Sequence, residues 1–223
     1  MRTIELASPV GAGGDHARLY VPELPTSRLL VTLAGPLEAA TANLLGEDGW
    51  SILSITSAKG DSDTPSLISE LIAQAAGQLA AVASPLRIVA AADGAVETAA
   101  FIKAITESHR SGSAAVRGLV ALDPFAASSQ EGLNTDESIA EFAEGLLPFN
   151  GLAIILAARA SSTDQRRLTL ALHRRLQALG KDSRFLAIRD NGGSLPQWLA
   201  NGRDQLGREF RWLLDPVHSR NET

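Results

Sequence analysis

The residues able to do chemistry in this chain are few, and their types already narrow the possibilities. There is no cysteine, which removes disulfides, thiolate zinc sites, iron–sulfur clusters and cysteine nucleophiles together. Four histidines are present. His16 opens the second strand of an N-terminal hairpin, His109 ends a helix, His173 lies mid-helix beside Arg174 and Arg175, and His218 is in the C-terminal tail. All four read as structural or solvent-exposed, His173 on a solvated face. Asp61 and Asp63 have the hardness for a divalent cation, but two acids in a Ser/Gly stretch read as solvated, so no metal site is expected. Gly11-Ala12-Gly13-Gly14 has the composition of a phosphate cradle, yet no helix follows it and it reads as a turn. With no P-loop and no dinucleotide fingerprint after a strand, no cofactor is expected.

Two aspartates stand at places where a strand gives way to a helix. Asp93 begins the run Asp93-Gly94-Ala95-Val96-Glu97, an acid before a helix with a second acid in the first turn, which reads as an N-cap. Asp164 follows Thr163 and reads as an N-terminal helix residue. Arg166-Arg167 and Arg174-Arg175 share one helix face, either a solvated stripe or a contact for an acidic partner.

The elements that must position these groups follow from alternation along the chain. Short β-branched or leucine-rich runs recur at residues 28–33, 50–56, 86–91, 116–122, 152–157 and 184–188. Continuous apolar runs this short read as strands buried on both faces. Helical spacing fills residues 65–83, 94–109, 139–147, 163–179 and 196–214, the fourth ending at Gly180 and the last forming one long closing helix. The order predicts crossover connections and a mainly parallel sheet with helices on both faces. Residues 3–7 and 17–21 read as an antiparallel edge hairpin. One domain over residues 1–214 and a polar tail over 215–223 account for the chain.

Length and composition agree with this. A chain of 223 residues, 45% hydrophobic and 20% charged, buries a sizeable core and is ordinary globular material. The net charge of −5 disfavours a general grip on nucleic acid or anionic membrane. The Met1-Arg2-Thr3-Ile4-Glu5 start has no apolar core of a signal peptide, and no uncharged apolar run reaches the roughly 18 residues of a membrane span. A soluble, cytoplasmic protein is expected.

A hairpin followed by a parallel α/β array and a closing helix resembles the α/β-hydrolase superfamily, and the resemblance extends to the turns. Leu29-Leu30-Val31-Thr32-Leu33 runs into Ala34-Gly35-Pro36, where the family has a glycine turn that helps build the oxyanion hole. Residues 50–56 run into Ser57-Ala58-Lys59-Gly60-Asp61-Ser62-Asp63, similar to the family's D-x-x-G-x-G-x-S turn. Residues 87–90 lead into Ala91-Ala92-Asp93-Gly94-Ala95-Val96, where the nucleophile elbow belongs. Residues 184–188 lead into Asp190-Asn191-Gly192-Gly193-Ser194-Leu195-Pro196, where family members often carry the catalytic histidine.

The resemblance implies a site in which several parts are missing. With Ala91 and Ala95 as the small flanks of the elbow, Asp93 holds the nucleophile position; with Ala90 and Gly94, Ala92 holds it. Neither register supplies serine or cysteine, and Gly193 stands where the histidine should be. Asp164 is the candidate for the acid that follows the 152–157 strand. An oxyanion hole would draw on the N–H of Gly94 or Asp93 and on Pro36 or Leu37, although Pro36 has no N–H and Asp93 would repel an oxyanion. The expected protein is therefore a hydrolase-fold chain with a degenerate triad. Gly35, Pro36, Ala92, Gly94, Asn191, Gly193 and Ser194 would line a pocket for a small molecule at the C-terminal strand ends, with a protein partner or a homo-oligomer as further binding possibilities. The alternative is an active hydrolase of an ester-, epoxide- or halide-type substrate, with Asp93 as nucleophile or acid/base and Asp190, Asp164 or Ser194 assisting.

Overall fold

The computed structural model describes residues 1–6, 16–33, 36–56, 64–79, 86–110, 116–125, 135–149, 152–189 and 193–213. The chain divides into two compact units, Met1–Ala91 with Ala100–Val116, and Ala92–Ala99 with Arg117–Thr223.

The first unit is built on β1 (Arg2–Leu6), β2 (His16–Val21), β3 (Arg28–Thr32), β4 (Ser51–Thr56) and most of β5 (Arg87–Asp93). The strands lie in the order β1-β2-β4-β3-β5. β1 and β2 form the expected antiparallel hairpin, with Arg2 opposite Val21 and Leu6 opposite Ala17; its Gly11–Gly14 turn lies outside the described residues. β2 pairs antiparallel with β4, while β3 runs parallel to both β4 and β5. Leu29, Leu30, Val31, Ile52, Leu53 and Ile55 are completely buried, which is why these strands read as unbroken apolar runs rather than alternating ones.

Helix α2 (Thr64–Leu79) turns Leu67, Ile68, Leu71, Ile72, Ala75 and Leu79 inward at helical spacing. Helix α3 (Ala95–Arg110) buries Phe101, Ile102, Ala104 and Ile105, and its Ala104 carbonyl accepts from Ser69 Oγ at 3.1 Å. Helix α1 (Ala39–Glu47), between β3 and β4, is absent from the sequence expectation. It buries only Thr41, Ala42 and Leu45, a stripe too thin to stand out by periodicity.

The second unit carries β6 (Val116–Leu122), β7 (Ala153–Arg159) and β8 (Ser183–Ile188), parallel and in that order. Helix α4 (Thr135–Gly145) starts four residues before the expected position, opening on the acids Asp136 and Glu137. Helix α5 (Thr163–Ala178) is capped by Ser162, whose side chain accepts from Gln165 N, one residue earlier than the expected cap; Gly180 beyond it has φ +73°.

The long closing helix is corrected to two, α6 (Leu195–Ala200) and α7 (Gln205–Trp212). Asn201 leaves helical geometry, with ψ 93°, and α7 folds back so closely that a Cβ on Gly207 would stand 2.2 Å from the Asn201 carbonyl oxygen and 2.8 Å from that of Trp198. The glycine permits a backbone contact that a continuous helix cannot make. No helix among the described residues is long and apolar enough to cross a membrane.

Candidate functional site

The turn from β5 into α3 is assembled by backbone chemistry. Ala90, Ala91 and Ala92 are fully buried, so small side chains bring the strand end close to its neighbours. Gly94 has φ +98°, a conformation that costs an L-residue about 1–2 kcal/mol. Neither Ala92 nor Asp93 has a positive φ; among the described non-glycine residues only Asp123 does, at +46°. The positive-φ residue of this turn is therefore Gly94, a conformation that glycine adopts without strain, whereas the two registers expected from the sequence centre the elbow on Ala92 or Asp93.

Two of the N–H groups expected to face an oxyanion, those of Gly94 and Asp93, are engaged. Gly94 N donates to the Leu122 carbonyl at 2.8 Å, and Asp93 N donates to Glu97 Oε2 at 2.8 Å. The Gly94 carbonyl accepts from Thr98 N at 3.1 Å and Thr98 Oγ1 at 2.6 Å. Thus Glu97 serves the helix start by reaching back, and the Asp93 carboxylate, expected as an N-cap, is turned elsewhere.

It is turned to Arg159. The last residue of β5, the residue following β6 and the last residue of β7 are Asp93, Asp123 and Arg159, and they form one ionic cluster. Arg159 Nη2 lies 3.1 Å from Asp93 Oδ2, and both terminal nitrogens lie 3.3 Å from Asp93 Oδ1. Arg159 Nη1 donates to Asp123 Oδ2 at 2.5 Å, while Arg159 N donates to Asp123 Oδ1 at 3.0 Å. Asp123 N donates to the Ala157 carbonyl at 2.8 Å, which fixes its left-handed backbone. The guanidinium carbon sits 5.5 Å from the centre of the buried Trp198 ring on α6.

Burial opposes the charge on Arg159, but the hydrogen bonds and charges of Asp93 and then Asp123 outweigh it, and its pKa is raised. The Asp123 side chain is 5% exposed and the Asp93 side chain 33%. Asp123 is thus a buried carboxylate whose two oxygens are both served, whereas Asp93 meets solvent on one side.

Other expected site residues fall elsewhere. Asp164 is exposed in the first turn of α5, a helix-terminal position, and the charged residue ending β7 is Arg159 instead. Ser194 caps α6 in a capping box: Gln197 N donates to Ser194 Oγ at 3.4 Å and Ser194 N donates to Gln197 Oε1 at 2.8 Å. Gly193 precedes it, half-buried. Pro36 is exposed in the first unit, while Gly35, Asp190 and Asn191 lie outside the described residues.

His173 is not on a solvated face. It is half-buried, with Nδ1 2.9 Å from Ser183 Oγ and its ring near Phe185, because it neighbours the inward stripe Thr169, Leu172 and Leu176. Its pKa is lowered by burial and then by Arg174. The side chains of His16 and His109, and all of His218, lie outside the described residues.

Asp123 and Arg159 are the members that sequence reasoning missed as a set. The usable signal was a charged residue closing each of three consecutive apolar runs: Ala92-Asp93, Leu122-Asp123 and Ala158-Arg159.

No protein-family model and no curated protein matches the chain. Solved structures do resemble it. A protein of Lactobacillus plantarum assigned as a carboxylesterase superposes with a TM-score of 0.67 at 12% identity, over 98% of this chain and 99% of that one. The esterase LipW of Mycobacterium marinum gives 0.63 at 13% identity, over 97% and 82%. Carboxyl esterase 2 of the fungus Tuber melanosporum gives 0.56 at 18% identity, over 84% and 77%. At these identities the likeness establishes the fold: a mostly parallel α/β-hydrolase fold with an N-terminal antiparallel hairpin.

Proposed function

We propose that this chain is a hydrolase-fold protein that performs no covalent ester chemistry at its elbow and acts by binding a small ligand or a partner. The observation that carries this reading is the identity of the positive-φ residue between β5 and α3, Gly94. The elbow geometry exists to expose a nucleophilic side chain, and glycine has none.

Three further features support it. The neighbouring Asp93 spends both oxygens on Arg159, so attack on a substrate carbon would have to break an ion pair first. The Gly94 N–H, which would be the oxyanion donor if Asp93 held the nucleophile position, is engaged by the Leu122 carbonyl. Arg159, a permanent cation, ends β7 and cannot serve as the acid that orients a histidine.

The rival reading, a hydrolase with Asp93 as nucleophile or acid/base, draws on the 33% exposure of that side chain. Hydrolysis of a panel of short-chain nitrophenyl esters, epoxides and haloalkanes separates the two. Equal, background-level rates for wild type and Asp93→Ala are expected. Turnover by the wild type that disappears in Asp93→Ala overturns the proposal.

A further inference from the structure

A cavity of about 420 Å³ opens beside the C-terminal end of β8, lined by Ala187, Ile188 and Arg189, by Trp198 of α6, and by Arg203 to Leu206 and Arg208 around the start of α7. The size lies in the lower range of small-molecule sites. Its charge is one-sided. Among the described residues the lining carries three guanidiniums, Arg189, Arg203 and Arg208, against the single carboxylate of Asp204, in a chain whose net charge is −5. Asp190, the next residue after Arg189, lies outside the described residues.

The arginines are not consumed by internal pairing as Arg159 is. The guanidinium groups of Arg189 and Arg203 have no hydrogen bond or ion pair among the described residues, and Arg208 uses Nη1 on the Arg203 carbonyl, which leaves further donors. Asp204, half-buried at the N-cap of α7, makes no side-chain cap hydrogen bond and its Oδ2 is buried without a partner among the described residues, so its charge offsets the positive end of that helix and the three guanidiniums alone supply the positive field. Apolar wall comes from Ala187, Ile188, Trp198 and Leu206.

We propose that this cavity binds a small organic oxyanion: a carboxylate or phosphate head group forked by Arg189 and Arg203, on a short apolar body lying against Trp198 and Leu206. Guanidinium forks match planar and tetrahedral oxyanions, and such charge-assisted bonds are roughly twice as strong as neutral ones. The proposal rests on the reading of a ligand-binding protein and names the ligand's class.

The test is calorimetric titration of the full chain with acetate, hexanoate and inorganic phosphate at constant ionic strength, for wild type and for Arg189→Gln/Arg203→Gln. Saturable binding of hexanoate or phosphate, weakened tenfold or more in the double variant at unchanged melting temperature, is the expected result. Hexanoate stronger than acetate assigns a carboxylate on an apolar body; phosphate stronger than both assigns a phosphate head. No saturable heat with any of the three, or equal affinity in the variant, overturns the proposal. The ester, epoxide and haloalkane panel is a separate readout: Asp93-dependent turnover removes the underlying reading, whereas a silent panel without anion binding removes only the ligand class.

Discussion

Two regions of the second unit hold arginine in opposite ways. At the end of β7, Arg159 is paired inside the protein: its terminal nitrogens face the carboxylates of Asp93 and Asp123 and its guanidinium lies near the Trp198 ring, while the N–H groups of Asp93 and Gly94 are also engaged. At the cavity after β8, three arginines gather around one carboxylate, and two of them have no partner among the described residues. A polar group with all its bonds made inside the protein stabilises the fold and has little left to offer a ligand. An exposed guanidinium with no partner inside the protein keeps its fork of N–H donors for a ligand. On the proposed reading, the turn after β5 holds the fold together and the cavity at the end of β8 is the place for a ligand.

The largest effect that can test this contrast comes from Arg159→Leu. It leaves the buried Asp123 carboxylate unpaired and should cost about 3 kcal/mol, the low end for breaking a buried pair because Arg159 keeps 25% side-chain exposure. Urea denaturation measures it. A loss below about 1 kcal/mol, the range of an exposed pair, would remove the distinction between a structural arginine and a binding one. Gly207→Ala comes next, because the added methyl meets backbone carbonyls that cannot rotate aside. Thermal unfolding should report a loss of about 1–3 kcal/mol, with reduced anion binding as the α6–α7 corner that walls the cavity shifts.

The smallest effect concerns pH. His173 titrates below its ordinary value in the folded chain, so the unfolded chain takes up a proton first as pH falls. Stability contributed by the neutral imidazole is complete above about pH 6.5 and declines below it, until the folded form protonates too. His173→Asn should flatten that part of the stability profile between pH 7 and 5. It should leave anion affinity unchanged, since His173 is not among the residues lining the cavity. A parallel loss of anion binding would show that the cavity depends on the His173–Ser183 contact.

How much of this was legible before the structure differs from element to element. The strands were legible because a strand buried on both faces needs an unbroken apolar run, and Leu29-Leu30-Val31 or Ile154-Ile155-Leu156 satisfies little else. Helix α1 was not, since its three inward residues, Thr41, Ala42 and Leu45, leave no strong period. The break between α6 and α7 was hidden as well. Trp198, Leu206 and Phe210 keep an apolar face across it, and only the approach of Gly207 to the Asn201 carbonyl explains why the chain turns there. Ser194, read as a site residue, is a capping-box residue whose partner Gln197 was three positions away in plain sight.

The sequence by itself determined the alternation of strand and helix, the hairpin and the absence of any thiol, because those depend on residue type and spacing. Tertiary structure decided what the charges do. Asp93, Asp123 and Arg159 are separated by 30 and 36 residues along the chain, and no local rule couples them. They meet because consecutive parallel strands end at the same edge, where a buried carboxylate must find a cation or remain unsolvated. The gathering of Arg189, Arg203 and Arg208 around one cavity depends likewise on α7 folding back over α6, a contact that the backbone of one glycine allows.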